Sequence, residues 1–187
     1  MYADNTLTPK ESIRLCALGS LALQPMRYGE LAISIRHFIS RVIGPTPEIM
    51  GHSIELLKYE GLVEAVDGSG EGELLRITDD GRAEMRALLT ANLRPSNTEL
   101  NTLITALKFR FLHLLDPAEQ AAQADLLLAA VEREIARVAD LRAHPSGGAG
   151  LLPEWLDHHL AQLEARMAWL ERLRDRLPAA GAASGEG

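Results

Sequence analysis

Aromatic residues make up only 4% of this chain of 187 residues, as three Phe, three Tyr and two Trp. Aliphatic side chains must therefore fill its interior, which favours packed helices over a β-sandwich. Cysteine is almost absent. The single Cys16 excludes an intramolecular disulfide and a cysteine-rich metal site, and its place in the apolar run LCALGSLAL reads as a small buried hydrophobe. No apolar run approaches the roughly eighteen residues that a membrane span needs, and no basic segment followed by an apolar one opens the sequence. A cytoplasmic protein with no membrane partner is the expectation. Positive charge is scarce too: 19 Lys and Arg stand against 26 Asp and Glu, a net charge of -7. Neither half is basic, with 10 cations against 13 acids over residues 1–95 and 9 against 13 over 96–187. Also missing are a nucleophile beside a base, a phosphate-cradling loop and a carboxylate pair at catalytic spacing, so neither an enzyme nor a cofactor is expected. His158 and His159 are neighbours, about 100° apart on a helix, and cannot easily share one metal ion. His113 and His144 are isolated, and no metal site is expected.

What the chain does have is helical periodicity, in two modules that divide at Arg94-Pro95-Ser96-Asn97, where Pro95 cannot continue a helix and Ser96 or Asn97 can cap the next. The first module, residues 1–95, starts with a helix from Glu11 to Leu23 and a second from Tyr28 to about Ile43. Ile13, Leu15, Leu18, Leu31, Ile35, Phe38 and Ile39 are its expected core. Thr46 to Gly81 then reads helix, strand, glycine-rich turn, strand, helix start. Met50, Ile54 and Leu57 form one apolar stripe, and Gly61 stops the helix. The strands LVEAV and LLRI flank DGSGEGE, and Thr78 is placed to cap a fourth helix, with Asp79 and Asp80 near its positive end. That order is the winged helix-turn-helix pattern, and it points to nucleic-acid binding.

The second module, residues 96–178, reads as helical throughout. One segment spans Asn97 to Leu115. Asp116 caps the next, with Pro117 at its tolerated first position, and this helix runs to about Ala143 along the stripe Leu127/Leu128, Val131, Ile135, Val138 and Leu141. From Pro153 the last helix carries Leu156, Leu160, Leu163, Met167 and Leu170 at spacings of 4, 3, 4 and 3, the period of a coiled-coil seam. The seam either meets a second subunit or packs back on the preceding helix. Trp155 and Trp169 lie about four turns apart and so share a face, either in packing or beside an effector. Residues 179–187 are almost all Ala, Gly and Ser, and disorder is expected there.

The run LCALGSLALQPM (15–26), Gly29-Glu30-Leu31, the stretch LKYEGLV (57–63) and Thr78-Asp79-Asp80-Gly81-Arg82 together resemble the PadR family of bacterial transcriptional regulators over almost the whole chain. PMRYGEL (25–31) is also similar to HxlR-type regulators, and MarR-type dimers share the winged helix; the long C-terminal helices favour PadR. The resemblance implies a homodimer joined through the C-terminal helices, a third helix in the major groove, a wing on the DNA backbone or in the minor groove, and a small hydrophobic or aromatic effector. Carried onto this sequence, it departs at several positions. Gly51 stands where the family has a tyrosine, and Glu55 and Leu56 stand where it has arginines. Asp67, Glu71 and Glu73 make the wing acidic, so phosphate should repel it.

The expected DNA contacts are Arg27, Tyr28, Arg36 and Arg41 on or before the second helix, His52, Ser53 and Lys58 on the third, and Arg76 in the wing. Lys10 and Arg14 are further phosphate candidates. Trp155 and Trp169 are the expected effector residues, and Leu156, Leu160, Leu163, Met167 and Leu170 the expected dimer seam. The function expected is therefore a homodimeric, DNA-binding transcriptional repressor. The alternative is a winged helix that has lost DNA affinity and binds a protein through its acidic surface.

Overall fold

The structure is a computed structural model and describes residues 6–44, 51–94, 98–144 and 150–177. It is mainly helical, and its packing divides it into two compact units, Met1–Leu114 and Leu115–Gly187.

In the first unit, α1 (Pro9–Leu23) begins with a reciprocal cap: the Glu11 amide donates to Thr8 Oγ1 at 3.2 Å and the Thr8 amide to Glu11 Oε2 at 2.6 Å. Its middle is apolar on all sides, and Leu15, Cys16, Ala17 and Leu18 are wholly buried. This is possible because α1 is the central post, packed against α2 (Tyr28–Val42), α3 (Gly51–Tyr59), α4 (Asp79–Leu89) and α5 (Thr98–Phe111). Burial pushes the Cys16 thiol up to about 11 despite the opposing Arg110 guanidinium, so it packs as a hydrophobe. Leu31, Ile35 and Ile39 of α2 complete the core as expected, with Phe38 only half-buried. Of the expected α3 stripe, Ile54 and Leu57 are fully buried, while Met50 lies outside the described residues.

Gly61 ends α3 with φ +74, a conformation that disfavours any side chain. The Leu62 amide reaches back to the Leu57 carbonyl at 2.9 Å and the Gly61 amide to that of Lys58 at 3.0 Å, closing the helix end. β2 (Val63–Asp67) then pairs antiparallel with β3 (Leu74–Ile77), in register Val63↔Ile77 and Ala65↔Leu75, with an irregularity before Asp67. β1 (Met26–Arg27) adds to the far edge of β3, giving the sheet order β1-β3-β2. The sequence pattern contains no hint of β1, because two residues carry no period. Thr78 caps α4 as expected: the Gly81 amide donates to its hydroxyl at 3.0 Å, and the hydroxyl to the Gly61 carbonyl at 2.8 Å. Three helices, a small antiparallel sheet and a closing helix make this a winged helix-turn-helix.

Packing does not divide at Pro95. Leu100, Leu103, Ile104, Leu107 and Phe111 bury α5 within the first unit, and the division falls after Leu114. The second unit is a hairpin of α6 (Pro117–Ala143) and α7 (Leu152–Arg176). Asp116 caps α6 through the Glu119 amide at 2.9 Å. Val138, Leu156 and Leu163 form a buried cluster with Ile135 and Leu160 against it, and Leu127, Val131 and Leu170 are buried too. The α7 seam therefore packs on α6 of the same chain. Arg142 pairs with Asp157 at 2.6 Å and Arg174 with Asp125 at 2.7 Å, one bridge towards each end of the hairpin. Among the described residues, no helix is long and apolar enough to cross a membrane.

Candidate nucleic-acid interface

Burial of Ile54 and Leu57 fixes which side of α3 faces the core, and leaves Glu55, Leu56 and Tyr59 on the outer side. Tyr59 is 90% exposed and Leu56 47%. His52 and Ser53 belong to α3, but their side chains lie outside the described residues.

Lys58 leans towards the wing. Its Nζ donates to Glu73 Oε2 at 2.6 Å and lies 3.6 Å from Glu55 Oε2. The Glu73 hydrogen bond holds the Lys58 ammonium above its ordinary pKa, so the lysine stays charged while its charge is neutralised locally. Across the wing, Arg76 Nε and Nη2 donate to Glu64 Oε1 at 3.0 and 2.7 Å, a cross-strand pair set by the register Glu64↔Arg76. Arg27 is likewise engaged: its Nη1 donates to the Gly72 carbonyl at 2.6 Å, and its amide to Glu30 Oε2 at 3.3 Å. The Tyr28 amide donates to the Glu73 carbonyl at 2.9 Å, so Arg27 and Tyr28 anchor the wing to the start of α2. Arg14 bridges Glu60 at 2.6 Å and Glu84 at 3.1 Å, tying α1 to the end of α3 and to α4; its role is structural.

Arg36 and Arg41 differ. Both are exposed on α2, with no carboxylate partner among the described residues. The expected contacts thus fall into three groups. Arg27, Tyr28, Lys58 and Arg76 are held by the wing, Arg36 and Arg41 face water, and His52 and Ser53 stay undescribed. Sequence reasoning did not find the carboxylate partners of Lys58 and Arg76: Glu73 reaches α3 from the wing, and Glu64 faces Arg76 across the hairpin.

In the hairpin unit, Leu156, Leu163 and Leu170 are 3%, 5% and 1% exposed, and Leu160 and Met167 half-buried. The buried three are covered by α6 within the chain, the second of the two arrangements open to the seam, while Leu160 and Met167 keep part of their surface. Trp155 is 57% exposed and stacks on His159, ring centroids 5.3 Å apart, and Trp169 is 42% exposed. Neither tryptophan is enclosed within this unit. Among the described residues, no group of three or more His, Cys, Asp or Glu side chains is placed to hold a metal ion.

Residues 2–174 match the family model described as "Putative AphA-like transcriptional regulator". Among solved structures, the chain is similar to "Crystal structure of Bacillus subtilis PadR in complex with operator DNA", at 16% identity and TM-score 0.37 over 87% of this chain and 97% of that one. It is also similar to "The Crystal Structure of smu.1604c from Streptococcus mutans UA159", at 16% identity and TM-score 0.38 over 91% of this chain and 100% of that one. No curated protein matches it.

Proposed function

Since the chain belongs to the AphA-like family of transcriptional regulators, we propose that it binds promoter DNA as a homodimeric repressor in the cytoplasm. The observation that carries this reading is the winged helix-turn-helix itself, with Glu55, Leu56 and Tyr59 exposed on the outer side of α3 and two exposed arginines on α2. Arg36 and Arg41 supply phosphate contacts that fix position without reading sequence, and the exposed residues of α3 meet the base edges. The wing contributes little directly, because its cations are already matched by carboxylates. A two-fold arrangement would set the two α3 helices one helical turn of DNA apart. Exposed apolar side chains of the hairpin, Leu141, Leu151, Leu152 and Trp155 among them, are offered to a second copy. A small hydrophobic or aromatic effector at Trp155 or Trp169 would act by changing that pairing.

Fluorescence anisotropy on DNA from upstream of the protein's own gene, titrated from low to physiological salt against competitor DNA, tests the reading. Binding that survives competitor at physiological salt is expected. No binding even at low salt would instead support a protein-interaction module, the reading that the Lys58–Glu73 and Arg76–Glu64 pairs favour. Such a module should be retained on a basic partner protein and not on DNA.

A further inference from the structure

Leu56 is a large aliphatic side chain left 47% exposed on a helix of nine residues, beside the exposed carboxylate of Glu55. The one described cation of that helix, Lys58, donates to Glu73 at 2.6 Å and lies 3.6 Å from one oxygen of Glu55, so it is matched by carboxylates. The outer face of α3 therefore offers one acceptor, one apolar side chain and the phenol of Tyr59, and no free cation among the described side chains. Guanine presents two acceptors in the major groove and calls for a forked donor, which the described side chains of this face do not hold. The groove chemistry that does suit it is the C5-methyl of thymine for an apolar side chain and the N4 amino group of cytosine for a carboxylate. Glu55 and Glu60, the latter paired with Arg14 at 2.6 Å, flank Leu56 along the chain, and this charged surround suits a methyl contact better than an apolar protein partner.

Resting on the DNA-binding reading above, we propose that Leu56 determines specificity by packing on a thymine methyl group, with Glu55 accepting from the amino group of a neighbouring cytosine. The α3 helix then selects a strand of pyrimidines, and Tyr59 reaches the adjoining phosphate through its hydroxyl.

Replacing the thymines of the protected site by deoxyuridine removes only the methyl groups and keeps base pairing. The intact protein and Leu56→Ala would be titrated by anisotropy on both duplexes. Circular dichroism would confirm that the variant keeps its helices, as an exposed position allows. The intact protein should lose about fourfold in affinity per methyl removed from contact, the transfer energy of one buried methyl. Leu56→Ala should bind the thymine duplex about as weakly as the intact protein binds the uracil one, and be indifferent to the exchange. Equal binding of the intact protein to both duplexes, or a variant that remains as sensitive as its parent, overturns the proposal while leaving DNA binding intact. Absence of binding to any duplex overturns the regulator reading, and this inference with it.

Discussion

Lys108 carries an amine into the interior of the first unit, where it is 0% exposed and its Nζ donates to the carbonyls of Leu89 at 2.6 Å and Ala91 at 2.8 Å. It thereby caps the end of α4 from α5. Loss of water disfavours the charged form and pushes its pKa down to about 7, against about 10.4 in an unfolded chain. Between those values the unfolded chain binds more protons than the folded one, so stability rises with pH across the window and the penalty is fully present below about 7. Urea midpoints measured from pH 7 to 9.5 should climb in the intact protein, and a flat profile would refute the assignment. Lys108→Met should abolish the climb, yet lower stability by about 1–3 kcal/mol because two buried carbonyls lose their donor. Gly81 makes a different demand. A Cβ there would collide with the Leu62 backbone carbonyl oxygen and approach Ile77 Cγ1 at 2.8 Å, where α4 starts against the turn that follows α3. That carbonyl also accepts from the Thr78 amide at 3.1 Å, so it cannot withdraw freely. Gly81→Ala should therefore cost about 1–3 kcal/mol in denaturant melts despite alanine's better helix propensity.

Among the elements, the wing shows how a local pair governs a remote surface. Glu73, just before β3, holds Lys58 of α3 at 2.6 Å, so the wing neutralises the cation that would otherwise meet phosphate. Glu73→Ala removes the acceptor and one repelling charge. Low-salt DNA affinity should rise, and the slope of log K against log salt should steepen by about 0.9 for each phosphate newly contacted. An unchanged slope would mean that Lys58 never reaches the backbone. The sequence made the local parts of this architecture legible: the Thr78 and Asp116 caps, the Gly61 stop and both wing strands follow from residues within a few positions of one another. Glu73 and Lys58 are fifteen apart, and Arg14 and Glu84 seventy, so those pairs exist only once the chain has folded. Strand β1 was illegible because its partner β3, and not its own two residues, makes it a strand. The 4-3-4-3 period of α7 truly marks a buried stripe, but period alone does not say what covers it. Here α6 does, through Val131, Ile135 and Val138.

At the scale of the whole molecule, a net charge of -7 means that long-range attraction to DNA is weak, and affinity must come from a few placed cations. If Arg36 and Arg41 each meet one phosphate in both protomers of a dimer, about four counterions are released and the salt slope should be about −3.6. The Arg36→Ala, Arg41→Ala double variant should then weaken binding alike on all sequences and bring the slope near zero; unchanged affinity would remove α2 from the interface. The factor of two in that argument depends on dimerisation, for which Leu156, Leu163 and Leu170 offer no surface because α6 covers them. Exposed Leu141, Leu151, Leu152 and Trp155 lie near the ends of α6 and α7 that the Arg142–Asp157 bridge holds together at 2.6 Å, and each gains by being covered. Sedimentation equilibrium of the intact protein should give twice the 20.4 kDa chain mass. Leu152→Glu with Trp155→Glu should give a monomer with unchanged helical content, since both side chains are exposed, and its salt slope should fall to about half. A double variant that remains dimeric would move the two-fold contact away from this end of the hairpin.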